Sequence, residues 1–420
     1  MAAFALAPTV ATALAPPYRL AWRVDTEAPT SGLAVAEDLA LGVTADAVVA
    51  VDLAEGRLAW TVARSGGPLL RPAVARVAGR PLLVFTESAE RGATSTSGAD
   101  PADVVGLDLG DRSERWRVRF DAGIPAPVTL ADGLAYVVDG DGVLTALDLA
   151  NGDERWTADA AGASDAPPAL AGDVLLVAGR PEDAPARLAA LDAASGAPVW
   201  GDTVASAIPA GSAIAADRDD VVVAGADRLL RVLDPATGRE RWNALLVNVP
   251  SPVGAPLVAE GAVYMADYAG GVYRFDLATG ERAWDQQLNR LVVRSSPVAA
   301  GDAIVIGTND GHLVALDRSN GHVVVDRATG PGLLGPIAIA GDLVIVPKSG
   351  GDPGVLAFAT DPEGRRLDVA SPTALDLVGS LGRFVVAFAI VAFGVAILPG
   401  GLARRFLPTG RRRRADEGAP

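Results

Sequence analysis

Short apolar runs, four to six residues long and rich in Val, Ile, Leu and Ala, alternate with Gly-, Asn- and Asp-containing breaks through most of this 420-residue chain. Two stretches show the pattern plainly: "APVTLADGLAYVVDGDGVLTALD" (126–148) and "SSPVAAGDAIVIGTNDGHLVALD" (295–317). Apolar runs of that length between turn-forming residues predict strands joined by tight hairpins.

The pattern repeats. "TALDLANGDERW" (145–156), "AALDAASGAPVW" (189–200), "RVLDPATGRERW" (231–242) and "YRFDLATGERAW" (273–284) each carry an Asp, a Gly four residues later and a Trp eight residues later. On this frame the Asp/Trp pairs are Asp52/Trp60, Asp108/Trp116, Asp148/Trp156, Asp192/Trp200, Asp234/Trp242 and Asp276/Trp284. A seventh copy keeps Asp317 and Gly321 but has Val325 at the Trp position. An eighth, near 356–367, has Ala359 for the Asp and places Gly364 one residue late. The six tryptophans are spaced by 56, 40, 44, 42 and 42 residues, and the long interval holds a polar insertion at 87–103. Four strands per unit of roughly 40 residues is the signature of a propeller blade.

The phrase has a physical reading. "LTALD" is one strand and "ERW" begins the next, with the Asp accepting backbone N–H groups inside the turn and the Gly supplying a positive φ. The Trp then presents an apolar face that one blade cannot bury alone, so it docks on the neighbour. Trp22, in "YRLAWRV" (18–24), is a Trp strand with no blade in front of it. An N-terminal strand that completes the last blade would close the ring. The expected fold is therefore all-β: an eight-bladed propeller over 17–371, closed by an N-terminal strand, with a seven-bladed ring as the alternative count.

The spaced motif resembles the tryptophan-docking motif of the PQQ-like β-propeller family, which includes quinoprotein alcohol dehydrogenases and the non-enzymatic BamB-like branch. The resemblance runs from residue 18 to about 370. It does not fit the WD40 pattern, since the units lack a Gly-His pair matched to a Trp-Asp. The quinoprotein branch implies a PQQ–calcium site with carboxylate and amide ligands, a catalytic Asp, a Trp floor and a cysteine pair. The chain has no Cys and seven Trp. All seven tryptophans are committed to the repeat frame, and no ligand set can be placed residue by residue.

The ends carry a different message. "FVVAFAIVAFGVAILPGGL" (384–402) has no charge and, counted back over Arg383 to residue 377, is long enough for one transmembrane helix. Arg404, Arg405 and Arg411–Arg414 follow it, and a dense arginine cluster beside a span stays in the cytoplasm. The apolar leader 1–16 looks like a signal peptide, although no Arg or Lys precedes Arg19. The expected order is leader 1–16, propeller 17–371, transmembrane helix 377–402 and Arg-rich cytoplasmic tail 403–420. The propeller would then be extracellular, on a single-pass cell-membrane protein.

Composition narrows the chemistry. The net charge is −15, and the six tail arginines make the rest more acidic still. Such a body repels phosphate backbones, which disfavours a nucleic-acid partner. Lys348 is the single lysine; excess Asp and Glu with Arg and Ala is the composition of a high-salt organism. Without Cys there are no disulfides, thiolate metal sites or thiol nucleophiles. The two histidines, His312 and His322, flank hairpin turns and are read as surface residues rather than metal ligands.

These readings predict a membrane-anchored, non-catalytic scaffold or recognition module, with no cofactor and no catalytic or metal site. The partner class is a protein or an extended peptide; the oligomeric state is not legible. The competing class is a PQQ/calcium-dependent quinoprotein oxidoreductase. The expected blade-docking residues are Trp22, Trp60, Trp116, Trp156, Trp200, Trp242 and Trp284 with Asp52, Asp108, Asp148, Asp192, Asp234, Asp276 and Asp317. Loops ahead of each blade's first strand should ring one mouth of the channel, where Arg71, Arg290 and Arg294 could take a carboxylate.

Overall fold

The computed structural model describes residues 18–89, 100–160, 162–164, 166–179, 187–200, 214–225, 228–246, 254–292, 295–349 and 352–360. All of them belong to the first of the chain's two units, Met1–Leu367. The described residues form eight antiparallel sheets and no helix. Seven sheets are blades of four sequential strands: 34–63, 73–120, 129–159, 169–200, 215–245, 257–287 and 298–328, numbered here as blades 1 to 7.

Blade 8 is assembled from both ends of the ring. Leu343–Ser349 and Gly354–Ala359 pair with each other, Ala338–Ala340 lies inside them, and Arg19–Asp25 adds as the outermost strand. The register runs from Arg19 opposite Ala359 to Asp25 opposite Gly354. The first strands of successive sheets neighbour one another around the ring, and Ala338–Ala340 of blade 8 meets Ala34–Ala36 of blade 1. Eight blades and an N-terminal closing strand are thus what the fold contains.

Period-two alternation explains where the core sits. Successive residues of a middle strand point to opposite neighbours. In blade 3, Tyr136 and Val138 face blade 4, whereas Ala135 and Val137 face blade 2. The buried apolar residues fall into eight clusters, one in each joint between blades. No cluster belongs to a single blade, so the ring is the smallest unit that buries its own surface.

Each outermost strand also carries a one-residue bulge immediately before its Trp position. The extra residue is Arg115 in blade 2, Arg155 in blade 3 and Arg241 in blade 5. A bulge re-aims its side chain. Here each of these three arginines reaches back to the Asp of its own repeat: Arg115 to Asp108 at 2.8 Å, Arg241 to Asp234 at 3.1 Å, and Arg155 to Asp148. The "ERW" of the motif is this bulge.

Among the described residues no helix is long and apolar enough to cross a membrane. The leader 1–16, the apolar stretch 377–402 and the tail 403–420 lie outside the described residues.

Removing the closing strand should be costly, because it leaves Gly354–Ala359 as a naked sheet edge and empties one side of the joint between blades 8 and 1. A chain lacking residues 1–24 is expected to aggregate or to melt well below the parent. Equal melting of the two, followed by circular dichroism, would mean that the ring closes without this strand.

Candidate functional site

The motif residues meet across the joints. In the turn after Asp276, its carboxylate accepts the N–H groups of Ala278 and Thr279 at 3.0 and 2.8 Å, while Gly280 N–H donates to Asp276 O. The same pattern recurs at Asp52, Asp148, Asp192, Asp234 and Asp317. Across the joint, the indole N–H of the preceding blade's Trp donates to the carbonyl of the residue after that Asp. The pairs are Trp22 to Leu53 (3.1 Å), Trp116 to Leu149 (2.8 Å), Trp200 to Pro235 (2.6 Å), Trp242 to Leu277 (2.7 Å) and Trp284 to Arg318 (3.0 Å).

The glycine of the turn lies flat against the ring. A β-carbon at Gly280 would sit 2.6 Å from Trp242, and at Gly321 2.6 Å from Trp284. With φ of +74° and +75° these positions also favour glycine on backbone grounds. Two independent reasons therefore require glycine four residues after the Asp.

Three joints depart from this. At 3/4, Trp156 lies against Gly196, but its Nε1 is buried without a partner, because Tyr136 donates its hydroxyl to Ala193 O at 3.1 Å instead. At 1/2, the residue four after Asp108 is Arg112, held at φ +61°, and Trp60 has no indole bond of this kind among the described residues. At 7/8, Val325 replaces Trp, and the buried ring of Tyr18 enters the joint, its hydroxyl 3.5 Å from Ala300 O. Burial pushes the Tyr18 hydroxyl up to about 12. The Asp/Trp spacing overlooks Arg112 and Tyr18, although a strict check of the fourth position would have found Arg112.

The turn carboxylates are held below the ordinary range. For Asp148 and Asp234 the main cause is a guanidinium, Arg155 and Arg241; for Asp192 and Asp317 it is a serine hydroxyl, Ser195 and Ser319. For Asp108 and Asp276 it is a backbone N–H, from Gly110 and Thr279.

The opposite end of the ring carries the loops between blades. Arg71 lies in the loop entering blade 2, and a β-carbon at Gly32 would stand 3.3 Å from Arg71 Cβ and 3.2 Å from Pro336 Cγ. Loops of blades 8, 1 and 2 therefore converge at Arg71. Its side chain is open to solvent, yet surrounding protein desolvates the guanidinium enough to lower its pKa, as a concave setting does. Arg290 has other neighbours: Asp310, and Asp326 on the outermost strand of blade 7. It is thereby drawn to the rim, while Arg294 lies outside the described residues.

His312 pairs with that same Asp326 at 2.5 Å, whereas His322 follows the turn at the far end of the strand His312–Asp317. The two histidines are a strand length apart. Exposed apolar side chains also stand on this loop end. Tyr268 is 41% exposed and Leu291 46% exposed, and Val292 N–H donates to Tyr268 O, placing the two side by side. The base of the 87–103 insertion is clamped by Arg117, bound to Glu87 and to Asp103; residues 90–99 lie outside the described residues.

The innermost strands read Ala-Val-Ala, Ala-Val-Ala-Arg-Val, Thr-Leu-Ala, Ala-Leu-Ala, Ala-Ala, Leu-Val-Ala, Val-Ala-Ala and Ala-Ile-Ala. Only Arg76 and Thr129 among these residues have polar side chains. Such walls do not fit a quinone–calcium pair, which needs carboxylate and amide ligands and an aromatic floor. Nor are three His, Asp or Glu side chains grouped to hold a metal among the described residues.

Comparison with known proteins matches this geometry. A family model described as outer membrane protein assembly factor BamB matches residues 88–207 and 184–333. The outer membrane protein assembly factor BamB of Bordetella pertussis is 24% identical over 264 residues, which cover 58% of this chain and 64% of that protein. The match thus spans just under two thirds of the relative's length. A quinohemoprotein alcohol dehydrogenase of Comamonas testosteroni is 28% identical over 135 residues, 28% of this chain and 19% of that protein. The crystal structure of BamB from Moraxella catarrhalis superposes with a TM-score of 0.64 at 19% identity, covering 81% of this chain and 99% of that one.

Replacing Trp242 with Ala should open the 5/6 joint and cost about 3–5 kcal/mol, against roughly 1–3 kcal/mol for Val325→Ala. Urea denaturation of the two variants checks the order, and equal losses would count against indole docking. Acid should also destabilise the ring. The turn carboxylates are depressed in the folded state, so the unfolded chain binds more protons as pH falls through the ordinary carboxylate range. Their contribution is complete above that range and is lost below it. Melting temperature measured from neutral pH downwards should fall through that window; a flat profile would refute the assignment.

Proposed function

The chain belongs to the propeller family described as outer membrane protein assembly factor BamB, and from that premise we propose that it is a non-catalytic protein-binding scaffold, exported and anchored by one C-terminal helix. The observation that carries this reading is the contrast between the ring's two surfaces. Its innermost strands are nearly all Ala, Val, Leu and Ile, with nothing to bind a quinone or activate a substrate. Its loop end exposes Tyr268 and Arg71, residue types that anchor protein contacts, together with the apolar Leu291 and Leu69. A protein or an extended peptide fits this surface. Nucleic acid does not, given the net charge of −15.

Anchoring rests on the sequence: the uncharged stretch 384–402, six arginines after it and a signal-like leader. These support a reading in which the propeller lies outside the cell membrane and the tail inside. The runner-up, a PQQ/calcium-dependent oxidoreductase, draws support from the dehydrogenase relative but finds no ligand set in the described walls.

Two measurements separate the readings. Purified protein with PQQ and calcium should show neither stoichiometric quinone binding nor alcohol-dependent dye reduction; turnover would overturn the scaffold. Protease added to intact cells should degrade the propeller and spare a tag placed after Pro420. A cut tag beside an intact propeller would reverse the topology.

A further inference from the structure

The joints fall into two chemical classes. Six of them, 8/1 and 2/3 through 6/7, place an indole from one blade on the Asp turn of the next. The remaining two, 1/2 and 7/8, each lack one member of the motif: at 1/2 Trp60 packs into the joint but Arg112 occupies the glycine position, and at 7/8 Val325 occupies the Trp position. These two joints flank a pair of blades, 8 and 1. That pair is itself held together by the Trp22–Leu53 bond and by Gly56 lying against the Trp22 ring.

Only two cations are buried among the described residues, and they sit at these same two joints, at the loop end opposite the turns. Arg64 leaves blade 1 and spends its guanidinium across the 1/2 joint. Its Nη1 donates to Thr44 O of the blade 1 side (2.8 Å), Nη2 and Nε donate to Thr86 O of blade 2 (2.8 and 3.1 Å), and Nη2 also donates to Pro68 O (2.7 Å). The adjacent Ser65 N–H donates to Glu87 of blade 2 at 2.8 Å. Lys348, the chain's one lysine and 2% exposed, extends from blade 8 and donates to Thr329 O, at the end of blade 7, at 3.3 Å. Other loop-end positions equivalent to Arg64 carry Ala160, Leu246 and Leu288, whose backbones make the same contact as that of Arg64.

A buried cation is unfavourable unless its donors are satisfied. Its presence at these two joints alone, where the turn lacks its glycine or the strand its Trp, is a coincidence of position that packing does not require. We propose that Arg64 and Lys348 are positioning residues that lock the two joints in which the Gly/Trp pair is incomplete, and that the ring is consequently built as two arcs. One arc is blades 2 to 7. The other is blades 8 and 1 with the closing strand, which parts from the first as a unit when the locks release.

Hydrogen–deuterium exchange of the full chain, read by mass spectrometry, tests this. In the wild type, amides of 19–63 and 338–359 should exchange as one group, faster than those of blades 3 to 6. Arg64→Met should raise exchange at the 1/2 joint about tenfold, with blades 4 to 6 unchanged. Adding Arg112→Gly, which restores the glycine of the turn, should return it towards wild type with the 7/8 joint and blades 4 to 6 unchanged, whereas a general gain in stability would slow exchange around the whole ring. Lys348→Met should do the same at the 7/8 joint. Should Arg64→Met fail to fold, Arg64→Lys, which keeps the charge but loses the fork, should give the smaller local increase. Exchange that rises evenly around the ring, that begins at the 8/1 joint, or that ignores Arg112→Gly would overturn the proposal.

Discussion

One contact organises this fold: an indole laid flat on a glycine turn of the neighbouring blade, its N–H given to a carbonyl of that turn. A blade buries only one of its two faces against any partner, so each needs two neighbours, and the contact repeats until the ring returns to its start. The rest of the motif serves that contact. The Asp carboxylate fixes the turn that offers the carbonyl. The glycine clears the space for the ring. The bulge turns the preceding arginine back onto the Asp and leaves the Trp facing outward across the joint.

This is why so much of the fold was legible in the chain. Asp, Gly and Trp are each needed for a separate physical reason, so their joint recurrence cannot come from composition alone. Trp22 was legible for the same cause, since an indole without its own blade must belong to another. What escaped the spacing were substitutions that keep the geometry by other means. Arg112 holds the positive φ of a glycine. Tyr18 fills a joint from a position outside the repeat, and Tyr136 takes a carbonyl that an indole would otherwise claim. Arg64 and Lys348 gave no signal, because burial of a long cation depends on which carbonyls surround it in three dimensions.

The candidate surface was less legible than the fold. Loop arginines were identified by type and position, but a guanidinium can face a partner or its own protein. Arg71 stays open in a concave setting, whereas Arg290 is consumed by Asp310 and Asp326. Tyr268 and Leu291 belong to loops 23 residues apart, and only the backbone bond between Val292 and Tyr268 sets them side by side. The walls tell the opposite story: short Ala- and Val-rich strands are plain in the sequence once the blade is recognised as the unit.

The closing strand also fixes an order of events during synthesis. Arg19 pairs with Ala359, so the first of the ring's described strands to be made waits for the last before it finds its partner. During that interval the Trp22 strand is an open edge with an exposed indole, the kind of surface that chaperones and proteases recognise. Ring closure therefore reports on chain integrity: a chain that stops short of its final blade keeps its beginning unpaired, however well the six central blades have stacked. The long separation between the two strands makes closure a late, slow step. It also makes closure the point at which incomplete copies are exposed to quality control.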